Sequence, residues 1–180
     1  MELNYKLHHK DYLKQQLYQA SKNKNIQKRK IRSWILLSFS GIAVTFLSYN
    51  SDNFVLFLFF CFITLSTIIF YPVYFKDRFK THYKKHISET YKKRFGEKIN
   101  IIFKESFLES KDITGELKLN YSVFSEIIEV STHYFISIET GGTLIIPKEY
   151  LENLDKISDF FRKLAFKSKI EYQNDLDWKW

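Results

Sequence analysis

The pattern of hydrophobic and polar positions contains two long uncharged runs, each flanked by amphipathic sequence. The longer run, residues 53–75, holds 23 residues without a charged side chain. A helix rises about 1.5 Å per residue, so this run is long enough to cross a hydrocarbon core of about 30 Å. The second run, residues 33–51, holds 19 uncharged residues. Together the two runs predict a transmembrane hairpin over residues 33–75.

The segments on either side of the hairpin have different periods. In residues 1–32, alternating apolar positions predict a strand from residue 2 to residue 8, and a helix follows from residue 9 to about residue 24. After the second run, an apolar side chain recurs at every fourth position and predicts an amphipathic linking helix over residues 76–96, with Gly96 as its C-terminal cap. The residues of this stripe are Phe79, Tyr83, Ile87, Tyr91 and Phe95.

Residues 97–180 show the period of two that is typical of strands. Short runs rich in Ile, Phe and Tyr are separated by turn residues, and Gly141-Gly142 predicts a tight hairpin. Pro147 ends the last of these strands. An apolar face then predicts a C-terminal helix that packs on the sheet, formed by Leu151, Leu154, Ile157, Phe160, Phe161 and Leu164. The predicted fold class is an α+β membrane protein with a small, bent antiparallel sheet or barrel closed by a C-terminal helix.

The distribution of charge predicts the orientation in the membrane. The net charge is +8, and residues 1–32 and 76–98 carry nine basic side chains each, whereas the loop between the runs carries none. Lys and Arg are enriched on cytoplasmic flanks, so both termini are predicted to face the cytoplasm. Residues 99–180 carry ten basic and fourteen acidic side chains. Because the positive charge lies beside the apolar runs and not on the folded module, the pattern argues against nucleic-acid binding.

Small residues in the first uncharged run mark a candidate packing face. Ser38, Gly41, Thr45 and Ser48 are spaced three or four apart and fall on one side of a helix. Small side chains let helix backbones approach closely in a bilayer, so this face is predicted to pack on the second run or on a second copy of the chain. In the alternative interpretation, the hydroxyl groups only return hydrogen bonds to their own backbone carbonyls.

Residue types that carry chemistry do not form a convincing site in the sequence. His8, His9 and Asp11 form one candidate ligand set, and His82 and His86 form another, but both lack the further ligands that a metal site needs and lie among basic residues. The sequence has no Gly-rich phosphate loop, and the single cysteine lies within the second uncharged run. The sequence therefore predicts no enzymatic activity, no metal and no cofactor.

Acidic positions in the strand region suggest a binding surface. Glu126, Glu129 and Glu139, together with Lys148, form a candidate face for a partner protein. In the alternative interpretation, these glutamates are solvated positions that keep a small sheet soluble.

The order of the segments resembles the YcxB-like family of bacterial membrane proteins. The residues that carry this resemblance are the strand region YSVFSEIIEVSTHYFISIETGGTLIIPKEYL, in which residues 145–148 match the family's IIPK, and the opening LNYKLHHKDYLKQQLY. The chain departs from the family at Tyr121, where Trp is frequent. The resemblance implies a pleckstrin-homology-like fold for residues 97–180 and a membrane location.

These observations lead to one functional hypothesis and two alternatives. The leading interpretation is a non-enzymatic, two-pass protein of the bacterial inner membrane that contacts the lipid bilayer and presents a cytoplasmic module to another protein. The first alternative is an immunity protein that neutralises a toxin by direct binding at the membrane. The second is a lipid-sensing module, which would need a basic pocket that the acidic balance of residues 99–180 does not favour.

Overall fold

The computed structural model describes residues 1–50 and 53–180. Ser51, the last residue of the first predicted run, and Asp52, in the predicted loop, lie outside the described residues. The described chain is α+β and forms two compact units. One unit comprises residues 1–15 and 86–179, and the other comprises residues 16–85 with Trp180.

Four helices and eight strands occur in the described residues. The helices are α1 (His9–Lys22), α2 (Lys24–Tyr49), α3 (Phe54–Thr90) and α4 (Leu154–Ser168). The strands are β1 (Glu2–Lys6), β2 (Lys98–Phe103), β3 (Phe107–Asp112), β4 (Gly115–Asn120), β5 (Phe124–Val130), β6 (His133–Ile138), β7 (Thr143–Pro147) and β8 (Glu171–Asp175).

The strand-rich unit contains two four-stranded sheets. The first has the order β1-β2-β3-β4 and the second has the order β7-β6-β5-β8. Every neighbouring pair is antiparallel except β5 and β8, which run parallel. The sheets are not closed into a barrel, so the α+β class is confirmed but the predicted closure is not shown.

The N-terminal strand belongs to the first sheet. Residues Glu2 to Lys6 pair with residues Ile102 to Lys98, and the side chains of Leu3 and Tyr5 are buried. The predicted boundaries separated residues 1–32 from residues 97–180, whereas the structure makes β1 the edge strand beside β2. This pairing bridges about half of the sequence, so local periodicity could predict the strand but not its partner.

The hairpin between β6 and β7 is confirmed. Gly141 and Gly142 have φ angles of +99° and +96°, which L side chains rarely adopt. The backbone N–H of Ile138 donates to the carbonyl of Gly142 at 3.2 Å and closes the turn.

Helix α4 packs on both sheets through Phe161. The Phe161 ring is fully buried and lies 5.6 Å from the Phe103 ring of β2 and 4.8 Å from the Tyr134 ring of β6, measured between centroids. The predicted amphipathic helix is therefore confirmed, but its buried face is narrower than predicted. Its buried residues are Ile157, Phe161, Leu164 and Ala165. Leu154 is exposed because it begins the helix, and Leu151 precedes it.

The helical unit contains the two uncharged runs, in α2 and α3. Both helices are long and apolar enough to cross a membrane, and only 6% of each apolar stretch is buried. α3 continues without a break past the predicted end of the second run, through Pro72 to Thr90. The predicted linking helix is thus the C-terminal part of α3. It ends at Thr90 and a short 3-10 turn follows at Lys92–Arg94, so the prediction that Gly96 caps this helix is wrong.

Candidate functional site

A buried hydrogen bond between two side chains joins the start of α1 to the start of β6. Asp11 Oδ1 lies 3.1 Å from His133 Nε2, and both side chains are almost fully buried. Asp11 Oδ2 accepts a second hydrogen bond from the backbone N–H of His8 at 2.7 Å. Burial acts to raise the pKa of Asp11, but the hydrogen bonds from His133 and His8 outweigh it and hold the pKa below its ordinary value. The carboxylate therefore stays ionised and fixes the imidazole.

The hydrogen-bonded pair of Asp11 and His133 continues outward to a hydroxyl and an ammonium group. His133 Nδ1 lies 2.7 Å from Thr132 Oγ1, and Lys14 Nζ donates a hydrogen bond to the same oxygen. Burial lowers the pKa of Lys14. The order carboxylate, imidazole, hydroxyl is that of a hydrolytic relay. Here the Lys14 ammonium group donates to the Thr132 hydroxyl oxygen and occupies one of its lone pairs, which makes that oxygen a poorer nucleophile. The arrangement therefore favours holding α1 against β6 and binding a ligand over attack on a carbonyl.

These groups form one wall of a cleft in the strand-rich unit. The cleft has a volume of about 470 Å³ and is open to solvent. Its polar lining comes from the start of α1, the β5–β6 turn with the first residue of β6, and the turn after β7, and the first residue of α4 adds an apolar group. The lining residues are Lys10, Asp11, Lys14, Ser131, Thr132, His133, Pro147, Lys148, Glu149 and Leu154. At its rim, Lys10 Nζ forms an exposed ion pair with Glu149 at 3.0 Å. Charged and polar groups from three separate segments thus converge on one concavity, which is a feature of binding sites.

A second buried network lies behind the cleft around Glu129. Its Oε1 accepts hydrogen bonds from Lys148 Nζ at 2.7 Å and from Tyr134 OH at 3.1 Å, and its Oε2 accepts from Ser158 at 3.2 Å and from Tyr172. Burial acts to raise the pKa of Glu129, but the bonds from Lys148 and Tyr172 hold it below its ordinary value. Burial and, to a smaller extent, the negative charge of Glu129 raise the pKa of Tyr134. The network ties β5, β6, α4 and β8 to the residue that follows β7.

The four residues of the predicted partner face have different surroundings. Glu129 and Lys148 come together as an internal ion pair, with only 8% and 10% of their side chains exposed. Glu126 is half-buried and accepts hydrogen bonds from Ser137 and Gln173, whereas Glu139 is exposed. The structure therefore does not form one exposed acidic face from these residues. The reason is that Glu129 lies on the side of β5 that faces α4, which the strand period alone could not distinguish from the solvent side.

The predicted packing face lies along one side of α2. Thr45 Oγ1 lies 3.1 Å from Thr64 Oγ1 of α3, and a Cβ atom at Gly41 would lie 2.9 Å from the Thr64 side chain. Ser48 is buried, and the Ser38 oxygen is buried with no hydrogen-bond partner among the described residues. Thr45 and Ser48 also donate to backbone carbonyls of their own helix, as in the alternative interpretation. Both interpretations therefore describe part of the geometry.

The candidate metal ligands of the sequence do not form a cluster. Within residues 1–50 and 53–180, no group of three or more His, Cys, Asp or Glu side chains is placed to hold a metal ion. Asp11 instead faces His133, a residue that the sequence did not single out because 122 positions separate the two.

Comparisons of the chain with protein-family models, with curated proteins and with solved structures found no match. The resemblance of residues 145–148 and of the N-terminal segment to the YcxB-like family therefore remains a prediction.

Proposed function

We propose that the chain is a two-pass membrane protein that presents its strand-rich unit to a partner protein. The observation that carries the membrane location is the exposure of large apolar side chains all around α2 and α3. Phe39 and Phe62 are both 72% exposed, and Val55 is 76% exposed. At about 25 cal/mol per Å² of apolar surface, helices of this kind are strongly unfavourable in water and favourable in lipid.

The charge on the helix ends supports one orientation. Nine basic side chains lie in residues 1–32 and nine in residues 76–98, whereas the described residues of the connecting loop carry none. The proposed location is the bacterial inner membrane with both termini in the cytoplasm, because cytoplasmic flanks attract Lys and Arg.

The cleft at Lys14 and Thr132 is the proposed contact site for the partner. Of its three lysines, Lys10 faces Glu149 and Lys148 faces Glu129. Lys14 has no carboxylate at ion-pair distance within residues 1–50 and 53–180. Phosphate recognition needs several converging cations, whereas a polypeptide segment binds through mixed charges and hydrogen bonds. The lining therefore suits a protein segment with an acidic side chain. The hydrogen bond from Lys14 to the Thr132 hydroxyl oxygen supports a non-enzymatic role.

The fold of the strand-rich unit supports the same proposal. Two small sheets joined by Phe161 of a C-terminal helix are compatible with the pleckstrin-homology-like arrangement that the YcxB-like resemblance implies. The proposed role is accordingly that of a membrane-anchored binding module.

Lysine substitution tests the membrane location. Phe62 and Leu65 are exposed on α3, so replacing both with Lys removes little internal packing. Each Lys costs about 2.5–3.5 kcal/mol at the centre of a membrane helix, and we expect the variant to be lost from membranes washed with alkaline carbonate. The matched control replaces the exposed Ile113 and Phe166 with Lys, and this variant is expected to stay in the membrane fraction. Equal retention of both variants would contradict the proposal.

Site-specific photo-crosslinking tests the partner site in intact cells. A photoreactive residue at Ser131, on the cleft rim, is expected to give a discrete adduct with one protein, and the same residue at the exposed Ser122 is not. Lys14→Glu in the Ser131 background is expected to abolish the adduct. The same adduct from both positions, or its survival in Lys14→Glu, would exclude the cleft as the contact site.

A further inference from the structure

A second cleft lies within the helical unit, between α2 and α3 at their basic ends. Its volume is about 670 Å³. Arg29 and Arg78 line it, and so does His82, but no acidic side chain does. Among the described residues, neither guanidinium group has an ion-pair or hydrogen-bond partner in its own chain. Two cations that share a cleft without a carboxylate repel each other. The cleft therefore carries an unneutralised positive charge and is complementary to an anion.

The position of the two arginines corresponds to the headgroup region of a bilayer. Arg29 lies one helical turn before Ser33, where the first uncharged run begins, and Arg78 lies three residues after Phe75, where the second run ends. At about 1.5 Å per residue, both are within about 6 Å of the apolar boundary. On the proposed orientation this boundary faces the cytoplasm, where the leaflet is rich in anionic lipid.

The other residues that line the cleft are mostly apolar and lie on the side nearer the uncharged runs. The wall on the membrane side consists of Leu37 and the aromatic rings of Tyr71 and Phe75. The Phe75 ring stacks on Phe79 with centroids 4.4 Å apart and forms a continuous apolar surface. Tyr74 adds a hydroxyl group near the boundary, where tyrosine is enriched in membrane proteins. The cleft therefore offers cations at one level and an apolar groove at the next.

We infer that this cleft binds the phosphate group of an anionic phospholipid, with an acyl chain along the Leu37 and Phe75 wall. A guanidinium group pairs with a phosphate through two parallel hydrogen bonds, and two arginines match a phosphodiester that has no neighbouring positive charge. A zwitterionic headgroup is a poorer fit, because its ammonium group is repelled by the same arginines. The apolar wall favours a lipid over free phosphate. The inference rests on the proposed membrane location.

The test uses the 180-residue chain purified in a nonionic detergent and titrated with phosphatidylglycerol, phosphatidylcholine or inorganic phosphate. A ligand that binds the folded state raises the thermal unfolding midpoint. We expect phosphatidylglycerol alone to raise it, and Arg29→Gln with Arg78→Gln to weaken phosphatidylglycerol binding by about 10-fold or more. The matched control, Arg32→Gln with Lys80→Gln, removes the same charge outside the cleft and is expected to keep the shift. Ser33→Phe fills the cleft at constant charge and is expected to remove it.

Three results would overturn the lipid site. The first is a phosphatidylglycerol shift that persists in both cleft variants. The second is an equal loss in the Arg32 and Lys80 control, which would indicate a nonspecific charge effect. The third is an equal shift with inorganic phosphate or phosphatidylcholine, since a free anion or any phospholipid would then suffice. Carbonate washing of the wild type separates the two proposals: a chain retained in the membrane without a specific shift refutes only the cleft, whereas a chain released from the membrane refutes the membrane location.

Discussion

The indole N–H of Trp34 donates a hydrogen bond to the backbone carbonyl of Ile68, with the two heavy atoms 3.1 Å apart. In an α-helix this carbonyl would accept from the N–H four residues later, but that residue is Pro72, which has no N–H. The tryptophan of α2 thus supplies the donor that the proline removes from α3. On the proposed membrane location, water is excluded around this carbonyl and leaving it unpaired would be costly; the bond couples the two helices at the proline.

Trp34→Phe is expected to destabilise the helix pair by about 1–2 kcal/mol, since it leaves the Ile68 carbonyl without a partner. Pro72→Ala restores the intrahelical N–H and is expected to remove most of that penalty. Thermal unfolding of the two single variants and the double variant in detergent measures the coupling directly. Strictly additive effects would show that Trp34 contributes through packing alone.

Gly41→Ala is expected to loosen the contact between α2 and α3, because its new Cβ would lie 2.9 Å from Thr64 Cγ2 and Oγ1. A change of about 1–3 kcal/mol is typical of overpacking. Thr64→Ala removes both atoms and is expected to restore part of the loss. The control is Ala43→Leu, which adds a larger group on an exposed side of α2. A greater loss of stability in detergent for the Ala43 variant would contradict this packing.

The contrast between the two units explains what the sequence could predict. The helix pair follows from local features, because the lack of charge over residues 33–51 and 53–75 fixes the length of the apolar runs, and the small residues of α2 share one side by spacing. The register against Thr64 does not follow, since it depends on contact between two helices. In the strand-rich unit, Asp11 and His133 lie 122 residues apart, and no local pattern marks either one as buried.

The sequence pattern does not predict strand β8, for a related reason. Its sequence EYQND lacks the alternation of apolar residues, and it lies at the sheet edge, parallel to β5. Tyr172 on this strand donates to Glu129, so its contribution depends on a partner that is 43 residues away.

Lys148→Met is expected to destabilise the strand-rich unit by about 3–5 kcal/mol, because it leaves the buried Glu129 carboxylate without its cation. Lys10→Met breaks a similar pair with Glu149, but that pair is exposed and screened by solvent, so its expected cost is much smaller. Both variants lose one charge and gain the same side chain, so the comparison isolates burial. Chemical denaturation of the full chain in detergent measures both values. Similar costs for the two variants would contradict the assignment of Lys148 as the internal partner of Glu129.

Acid is expected to weaken the link between α1 and β6. The pKa of Asp11 is lower in the folded chain than its ordinary value near 4, so its contribution to stability is present above pH 4 and disappears as the pH falls through the folded-state pKa. Asp11→Asn is expected to lower stability at pH 7 by about 1–3 kcal/mol and to reduce the acid dependence below pH 4. Unfolding midpoints of the wild type and the variant from pH 7 to pH 2.5 test this. If the unfolding midpoint of the variant falls with pH below pH 4 as steeply as that of the wild type, other carboxyl groups govern the acid dependence.

Cysteine labelling tests the proposed orientation. In a Cys61→Ser background, single cysteines at Lys24 and Lys167 report the two regions proposed to lie in the cytoplasm, and one at Asn50 reports the opposite end of the hairpin. Nine basic residues on each flank, against none in the described residues of the loop, make transfer of the flanks across the membrane unfavourable. A membrane-impermeant maleimide is therefore expected to label Asn50→Cys in intact cells, and to label the other two variants only after permeabilisation. Labelling of Lys24→Cys and Lys167→Cys in intact cells, with protection of Asn50→Cys, would reverse the orientation and place the arginine cleft in the outer leaflet.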